Sequence, residues 1–172
     1  MPFNQMMNFP VELSLRNTPS GIRLCPVPIR EIGKLYKKKR KYTDTTLKPG
    51  TNLLDGFNAE LLDIDLHIKS QEARKIGFRI RDMEIVYDAK AKLLCSGEER
   101  ASVRTIDGMV KLRLLVDRTS IEVYANEGEV CLPLGAVPGE NAGKRLELYA
   151  EGGNAEIVKL TVRELKSVWR DE

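Results

Sequence analysis

Apolar and polar residues alternate along most of this chain, and this alternation is the feature that most restricts its fold. In residues 62–69, Leu62, Ile64, Leu66 and Ile68 alternate with polar side chains. A period of two places successive side chains on opposite faces of an extended strand, so each such segment has one apolar face to bury. The same alternation recurs in residues 11–16, 76–81, 112–116, 121–125 and 146–150. The chain is therefore predicted to consist mainly of β-strands.

Turn sequences separate these segments and indicate how the strands are arranged. Asp107-Gly108, Asn126-Glu127-Gly128 and Gly152-Gly153-Asn154 are combinations that favour tight turns. Their spacing predicts about ten to twelve short strands, and strands with one apolar face each stack as two antiparallel sheets. We therefore predict an all-β fold, a two-sheet antiparallel β-sandwich with one short helix.

The predicted helix follows Pro28, a residue that suits a first helical turn. Ile29, Ile32 and Leu35 then share one face at helical spacing. The basic run Lys37–Lys41 comes directly afterwards, and we interpret it as a solvated loop or helix end rather than a binding site for an anionic polymer. The net charge of +3, from 28 basic and 25 acidic residues, also disfavours nucleic acid as a partner.

The first ten residues do not alternate, and we interpret residues 1–10 as a junction segment that contacts a domain absent from this chain. The remainder, residues 11–172, has the size of one ordinary domain and is predicted to be the sandwich. Apolar side chains left uncovered at the junction favour self-association. The four predicted docking residues are Phe3, Met6, Met7 and Phe9.

The sequence predicts neither a metal site nor a cofactor. There is one histidine, and the three cysteines are too widely spaced for a zinc site. Asp63, Asp65 and His67 share one strand face, which we interpret as the solvent face rather than a carboxylate-rich metal patch. The apolar runs are too short for a membrane span, and the first residues lack the features of a signal peptide, so no membrane partner is predicted and the compartment stays unassigned.

No residue is assigned a catalytic role. A glycosidase needs two carboxylates across the scissile bond, but nothing in the sequence singles out one pair among the 25 acidic residues. Neither a nucleophile elbow nor a glycine-rich phosphate loop is present. The single tryptophan, Trp169, is interpreted as a core residue that closes the sandwich rather than as a sugar-binding platform.

The segment between residues 110 and 128 is predicted to be a hairpin. We assign structural roles in it to Asp117, Ser120 and Glu122, with Asp117 accepting hydrogen bonds from the turn through Ser120.

Several segments resemble the C-terminal sandwich domain of glycoside hydrolase family 32. The most specific is residues 115–128, LVDRTSIEVYANEG, which is similar to that domain's Leu-Val-Asp-Arg-Ser-Ser-Val-Glu-Val-Phe-x-Asn-x-Gly hairpin. Residues 2–16 resemble the family's junction between catalytic propeller and sandwich, and residues 28–35 resemble the short helical connection that follows. Gly152-Gly153 and residues 165–169 match in the same order.

The resemblance implies a parent enzyme of the levanase, inulinase and invertase type. Such enzymes are retaining, with an aspartate nucleophile and a glutamate acid/base on an N-terminal five-bladed propeller. The motifs Trp-Met-Asn-Asp-Pro-Asn-Gly, Arg-Asp-Pro and Glu-Cys that carry these groups are absent here, and Arg81-Asp82-Met83 is only a near match.

The resemblance thus predicts a non-catalytic module that supports and docks on a catalytic propeller of the same polypeptide, with fructan as a further partner. The parent enzyme is expected to be secreted or periplasmic. An independent carbohydrate-binding module with a lectin-like sandwich is the alternative. An apolar docking patch would favour the first hypothesis, and an aromatic groove with convergent polar groups the second.

Overall fold

The computed structural model describes residues 7–19, 21–137, 139 and 145–168. Its strands form a six-stranded sheet, a five-stranded sheet and a separate two-stranded hairpin, all with antiparallel pairing. The prediction of an all-β antiparallel sandwich with one short helix is confirmed. None of the helical residues in the described ranges forms a helix long and apolar enough to cross a membrane.

The hairpin and the helix come first along the chain. The hairpin consists of β1 (Val11–Thr18) and β2 (Gly21–Pro28), and the helix is a 3₁₀ helix (Arg30–Leu35), here called η1. Ile32 is buried at the centre of η1, as the helical spacing predicts, and Glu31 and Lys34 lie near its first and last turns.

The six-stranded sheet has the order β11-β10-β9-β4-β13-β3. Its strands are β3 (Tyr36–Leu47), β4 (Leu62–Lys69), β9 (Val110–Val116), β10 (Ser120–Ala125), β11 (Val130–Gly135) and β13 (Ala155–Leu165). The five-stranded sheet has the order β12-β5-β6-β7-β8. Its strands are β5 (Lys75–Ile80), β6 (Met83–Asp88), β7 (Leu93–Ser96), β8 (Glu99–Ser102) and β12 (Leu146–Glu151).

The inner faces of the two sheets form the main core. Ile64 and Leu66 on β4 are fully buried. They belong to the same apolar cluster as Phe78 on β5 and Leu148 on β12, which come from the opposite sheet. Alternation along β4 therefore predicts the buried face of the six-stranded sheet correctly.

A second, smaller apolar cluster lies on the outer face of the six-stranded sheet. Its buried members are Ile32 of η1, Leu115 of β9, Tyr124 of β10 and Leu165 of β13, and we call them the outer cluster. Phe9 packs against it. Because η1 and the junction cover this part of the sheet, both of its faces are buried here.

The basic run Lys37–Lys41 lies in β3, so its interpretation as a loop or helix end is wrong. β3 pairs along most of its length with β13, and these two are the longest strands of the six-stranded sheet. It is an edge strand. Lysine at a sheet edge discourages pairing with other chains, which explains a charge-rich sequence in an extended conformation.

Turn residues match the positions that the sequence indicated. Asn126 and Glu127 have positive φ angles of 48° and 60° between β10 and β11. Gly128, with φ 88°, follows, and a Cβ at this position would overlap the carbonyl oxygen of Pro26. Glycine here thus permits both the turn and its close approach to the hairpin.

Candidate functional site

The junction segment meets the sandwich at Phe9. Met7 is 95% exposed, whereas Phe9 is half-buried against the outer cluster. Phe3 and Met6, the other two predicted docking residues, lie outside the described residues. Of the two described residues in the predicted docking set, Met7 is therefore free to contact a partner, and Phe9 is held by the sandwich.

A buried carboxylate holds the junction backbone in place. Glu122 is 1% exposed, and its Oε1 accepts a hydrogen bond of 2.8 Å from the Phe9 N–H. Its Oε2 accepts a hydrogen bond from the Tyr124 hydroxyl. Burial, together with this bond to Glu122, raises the pKa of Tyr124. The sequence placed Glu122 in a hairpin but gave no sign of its contact with Phe9, because 113 positions separate the two residues.

An apolar groove of about 430 Å³ borders the junction. The backbone on its rim is fixed by a 3.1 Å hydrogen bond from the Ile29 N–H to the Pro10 carbonyl. Apart from Glu31 and Lys34, its lining is apolar: Phe9, Pro10, Pro28, Ile29, Ile32, Leu35, Leu115 and Val168. The groove thus lies where the chain enters the sandwich, and the exposed Met7 precedes Phe9 of its lining by two residues.

The hairpin presents a second apolar surface. Leu15 pairs directly with Leu24, and Leu13 and Ile22 lie on the same face of the ribbon. These four side chains are between 58% and 74% exposed. We call them the hairpin outer face.

The opposite face of the hairpin contacts the sandwich. The Arg16 guanidinium donates to the backbone carbonyls of Asn126 and Glu127 and forms an ion pair of 3.3 Å with the Glu127 carboxylate. Cys25, on the same face, is completely buried. The hairpin is therefore attached on one side and uncovered on the other.

A cleft of about 440 Å³ lies between the hairpin, η1 and the six-stranded sheet, and several charged side chains line it. Beneath it, Asp63 is fully buried, so its predicted position on the solvent face is wrong. Arg113 donates two hydrogen bonds of 3.0 Å to its carboxylate, and the Tyr36 hydroxyl donates one of 2.6 Å. The Arg163 guanidinium lies 3.6 Å from the same carboxylate. Burial and the bond to Asp63 raise the pKa of Tyr36 to about 12.

Asp65 and His67 follow on the same face of β4 and are half-buried. Burial of Asp65 acts to raise its pKa, but the Lys159 ammonium at 2.6 Å outweighs it, and the pKa is lowered overall. Burial lowers the pKa of His67, although its Nε2 lies 3.2 Å from the Asp65 carboxylate. Within the described ranges, no group of three or more acidic, histidine or cysteine residues is placed to hold a metal ion.

The aromatic residues of this cleft do not form a sugar-binding platform. Tyr124 is buried, and the Arg163 guanidinium stacks over the Tyr36 ring at 4.9 Å. Trp169 lies outside the described residues, so its predicted position in the core stays a prediction. Of the charged side chains of the cleft, Lys111 pairs with Glu127 at 2.6 Å, and Arg113 and Arg163 pair with the buried Asp63.

Asp117 and Ser120 lie at the turn between β9 and β10. The Asp117 N–H donates to the Ser120 carbonyl at 2.9 Å, and the Asp117 carboxylate accepts a hydrogen bond of 2.7 Å from the Arg118 N–H. The two residues are thus joined through the backbone. The structural role of Asp117 stays a prediction.

The near match to a catalytic motif, Arg81-Asp82-Met83, lies at the turn between β5 and β6. Arg81 donates to the carbonyl oxygens of Asp117 and Glu60 at 2.9 and 2.7 Å. The Asp82 carboxylate accepts a hydrogen bond from the Gly139 N–H at 3.0 Å. These contacts connect loops at one end of the sandwich.

Similarity to known proteins points to one family. Residues 31–164 match the family model described as "Glycosyl hydrolases family 32 C terminal". A levanase of Bacillus subtilis is 30% identical, over 98% of this chain and 28% of its own length. A fructan beta-fructosidase of Streptococcus mutans is 23% identical, over 99% of this chain and 13% of its own length. The chain thus spans less than a third of each of these relatives.

Solved structures share the fold. The exo-inulinase of Aspergillus awamori aligns with a TM-score of 0.77 at 21% identity, over 94% of this chain and 36% of that chain. Fructan 1-exohydrolase IIa of Cichorium intybus aligns with a TM-score of 0.66 at 17% identity, over 90% of this chain and 40% of that chain.

Proposed function

This chain belongs to the C-terminal domain family of the family 32 glycosyl hydrolases, and we therefore propose that it is a non-catalytic module that docks on a catalytic propeller. The propeller is the N-terminal part of the same polypeptide, and the whole protein hydrolyses fructan or sucrose. The names of the relatives, a levanase and a fructan beta-fructosidase, support this substrate class.

The observation that carries the proposal is the apolar surface at the junction. Met7 is 95% exposed and lies two residues before Phe9, which lines an apolar groove of about 430 Å³ at the point where a preceding domain would connect. Burying one such side chain contributes roughly 1.5–3 kcal/mol. An attached domain would cover this surface at a high effective concentration. Without it, we expect the chain to self-associate.

The buried acids of the module support a structural rather than catalytic role. Asp63 is held by two arginines, and Glu122 accepts hydrogen bonds from Phe9 and Tyr124. Fructoside hydrolysis needs a nucleophile and an acid/base on either side of one bond. In the proposed whole protein, the propeller supplies both.

The test is a chimera of the Bacillus subtilis levanase in which this chain replaces the matching C-terminal part. We expect the chimera to unfold in one cooperative transition and to hydrolyse levan, whereas levanase lacking that part should melt at a lower temperature. Met7→Ser should weaken this stabilisation. Val137→Ser is the matched control, because Val137 is also highly exposed, at 70%, but lies after β11. Two independent transitions, one at the melting temperature of the isolated chain, would contradict docking.

A further inference from the structure

The hairpin is structurally separate from the sandwich sheets. β1 and β2 pair only with each other among the strands of the described residues. A two-stranded ribbon is marginally stable in water by itself, and it needs a packed face to persist. On the inner side, Arg16 contacts the sandwich and Cys25 is completely buried.

The hairpin outer face is apolar where a solvated strand would be polar. Leu13, Leu15, Ile22 and Leu24 form two adjacent rows along the ribbon and are between 58% and 74% exposed. Apolar side chains that lie side by side on a surface, rather than scattered singly, often belong to an interaction site.

The position of the hairpin in the sequence favours a preceding domain as the partner for this face. The model of the C-terminal domain begins at residue 31, directly after the hairpin, although the levanase aligns over 98% of this chain. The levanase thus shares the hairpin, which lies on the N-terminal side of the residues that the C-terminal domain model matches. Residues 7–10, which connect to that domain in the proposed function, run directly into β1.

The size of the hairpin outer face disfavours a second copy of the chain as the partner. Two eight-residue strands form a ribbon of roughly 26 Å by 10 Å. A stable dimer usually buries about 800 Å² of accessible surface on each partner, more than the four side chains of this face can supply. A contact with the preceding domain needs less area, because that domain is covalently joined to the sandwich and the junction adds to the same contact.

We propose that the hairpin lies between two domains, with its inner face on the sandwich and its outer face packed against the catalytic domain. This inference rests on the proposed function and extends its contact surface from the junction to β1 and β2.

The test compares Leu15→Lys/Leu24→Lys in the isolated chain and in the levanase chimera. In the isolated chain both positions are exposed, so we expect its melting temperature to change by no more than about 1 °C. In the chimera, charges would be buried between domains, and we expect a decrease of about 5 °C or more. Val137→Lys is the matched control and should leave both proteins unchanged.

The outcomes separate this inference from the proposed function. In one outcome, the parental chimera unfolds cooperatively, Met7→Ser destabilises it and the double lysine variant leaves its melting temperature unchanged. Docking then stands, and the hairpin inference is overturned. An equal loss in chimera and isolated chain would also overturn it. If the parental chimera unfolds as two independent parts, the proposed function and this inference both fail.

A second measurement needs no chimera. Hydroxyl-radical footprinting of the isolated chain should label Leu13, Leu15, Ile22 and Leu24 strongly. Protection of these residues in the monomer would show that the chain covers its own hairpin and would overturn the inference. Protection that increases with protein concentration would assign the face to a second copy instead and would overturn it as well.

Discussion

Glu122 shows how one residue can join distant parts of the chain. Its carboxylate lies in the interior and is satisfied by two neutral donors, the Phe9 N–H and the Tyr124 hydroxyl. Removing the acceptor leaves buried donors unpaired, which is usually more costly than losing an exposed bond. Glu122 thereby fixes the backbone from which a preceding domain would extend.

We predict that Glu122→Ala lowers the free energy of unfolding by about 2 kcal/mol, because Phe9 and Tyr124 lose their acceptor. Amide exchange at Phe9, measured by NMR, should accelerate in this variant. Tyr124→Phe is the control, since it removes one donor and retains the bond to Phe9. Unchanged exchange at Phe9 in Glu122→Ala would contradict the anchoring role.

His67 makes the stability of the sandwich depend on pH. Burial lowers its pKa below the ordinary value of 6.5, despite the neighbouring Asp65 carboxylate, while Lys159 and Lys111 also disfavour the charged form. The unfolded chain therefore binds a proton more readily than the folded chain. Its contribution to stability is present above pH 6.5 and is lost as the pH falls through the lowered pKa.

We predict a decrease in melting temperature between pH 7 and pH 5 that is smaller in His67→Gln. Asp65, whose pKa is also lowered, should add its own loss only below its ordinary value of 3.8. Thermal unfolding at a series of pH values checks both statements. Parallel profiles for the parent and His67→Gln between pH 7 and pH 5 would count against the role of His67.

At the scale of elements, turns and edges determine how the strands assemble. In the turn between β9 and β10, the Asp117 carboxylate accepts a hydrogen bond of 2.7 Å from the Arg118 N–H. Arg81 also donates to the carbonyls of Asp117 and Arg118, so this turn contacts the one between β5 and β6. At one edge of the six-stranded sheet, β3 carries the lysines that protect it from pairing with other chains.

We predict that Asp117→Ala lowers the melting temperature by about 2–4 °C, corresponding to about 1 kcal/mol for one lost hydrogen bond. Asp117→Asn retains an acceptor oxygen and should lose less. Differential scanning calorimetry of the three proteins measures the effect. An Asp117→Ala variant that melts with the parent would show that the turn does not depend on this carboxylate.

At the scale of the whole molecule, the apolar surfaces lie on the hairpin and the junction, whereas the cleft beside the hairpin contains paired charges, such as Lys111 with Glu127. This arrangement supports a docking module better than an independent sugar-binding one. Sugar-binding sites usually combine convergent polar groups with an accessible aromatic face, but Arg163 already covers one face of Tyr36.

We predict that the isolated chain hydrolyses neither sucrose, levan nor inulin, because in the proposed whole protein the propeller supplies the paired nucleophile and acid/base. Release of fructose measures this, and turnover abolished by a single carboxylate substitution would overturn the non-catalytic assignment. Calorimetric titration with fructo-oligosaccharides should show weak or no binding. Tight binding without turnover would favour the independent carbohydrate-binding module.

The alternation of Leu62, Ile64, Leu66 and Ile68 was sufficient by itself to predict strands, because burial of one face is a local requirement of each amphipathic segment. Turn residues such as Gly152 and Gly153 likewise marked a chain reversal, since their positive φ angles favour glycine. The all-β sandwich could therefore be predicted from local patterns alone.

Only the tertiary structure decided what covers the second face of each strand. Asp63 alternates like an exposed residue but is fully buried, because Tyr36, Arg113 and Arg163 surround it. Glu122 contacts Phe9 across 113 positions of sequence. A local pattern reports which side of a strand faces the core, whereas burial of the other side depends on segments that only folding brings together.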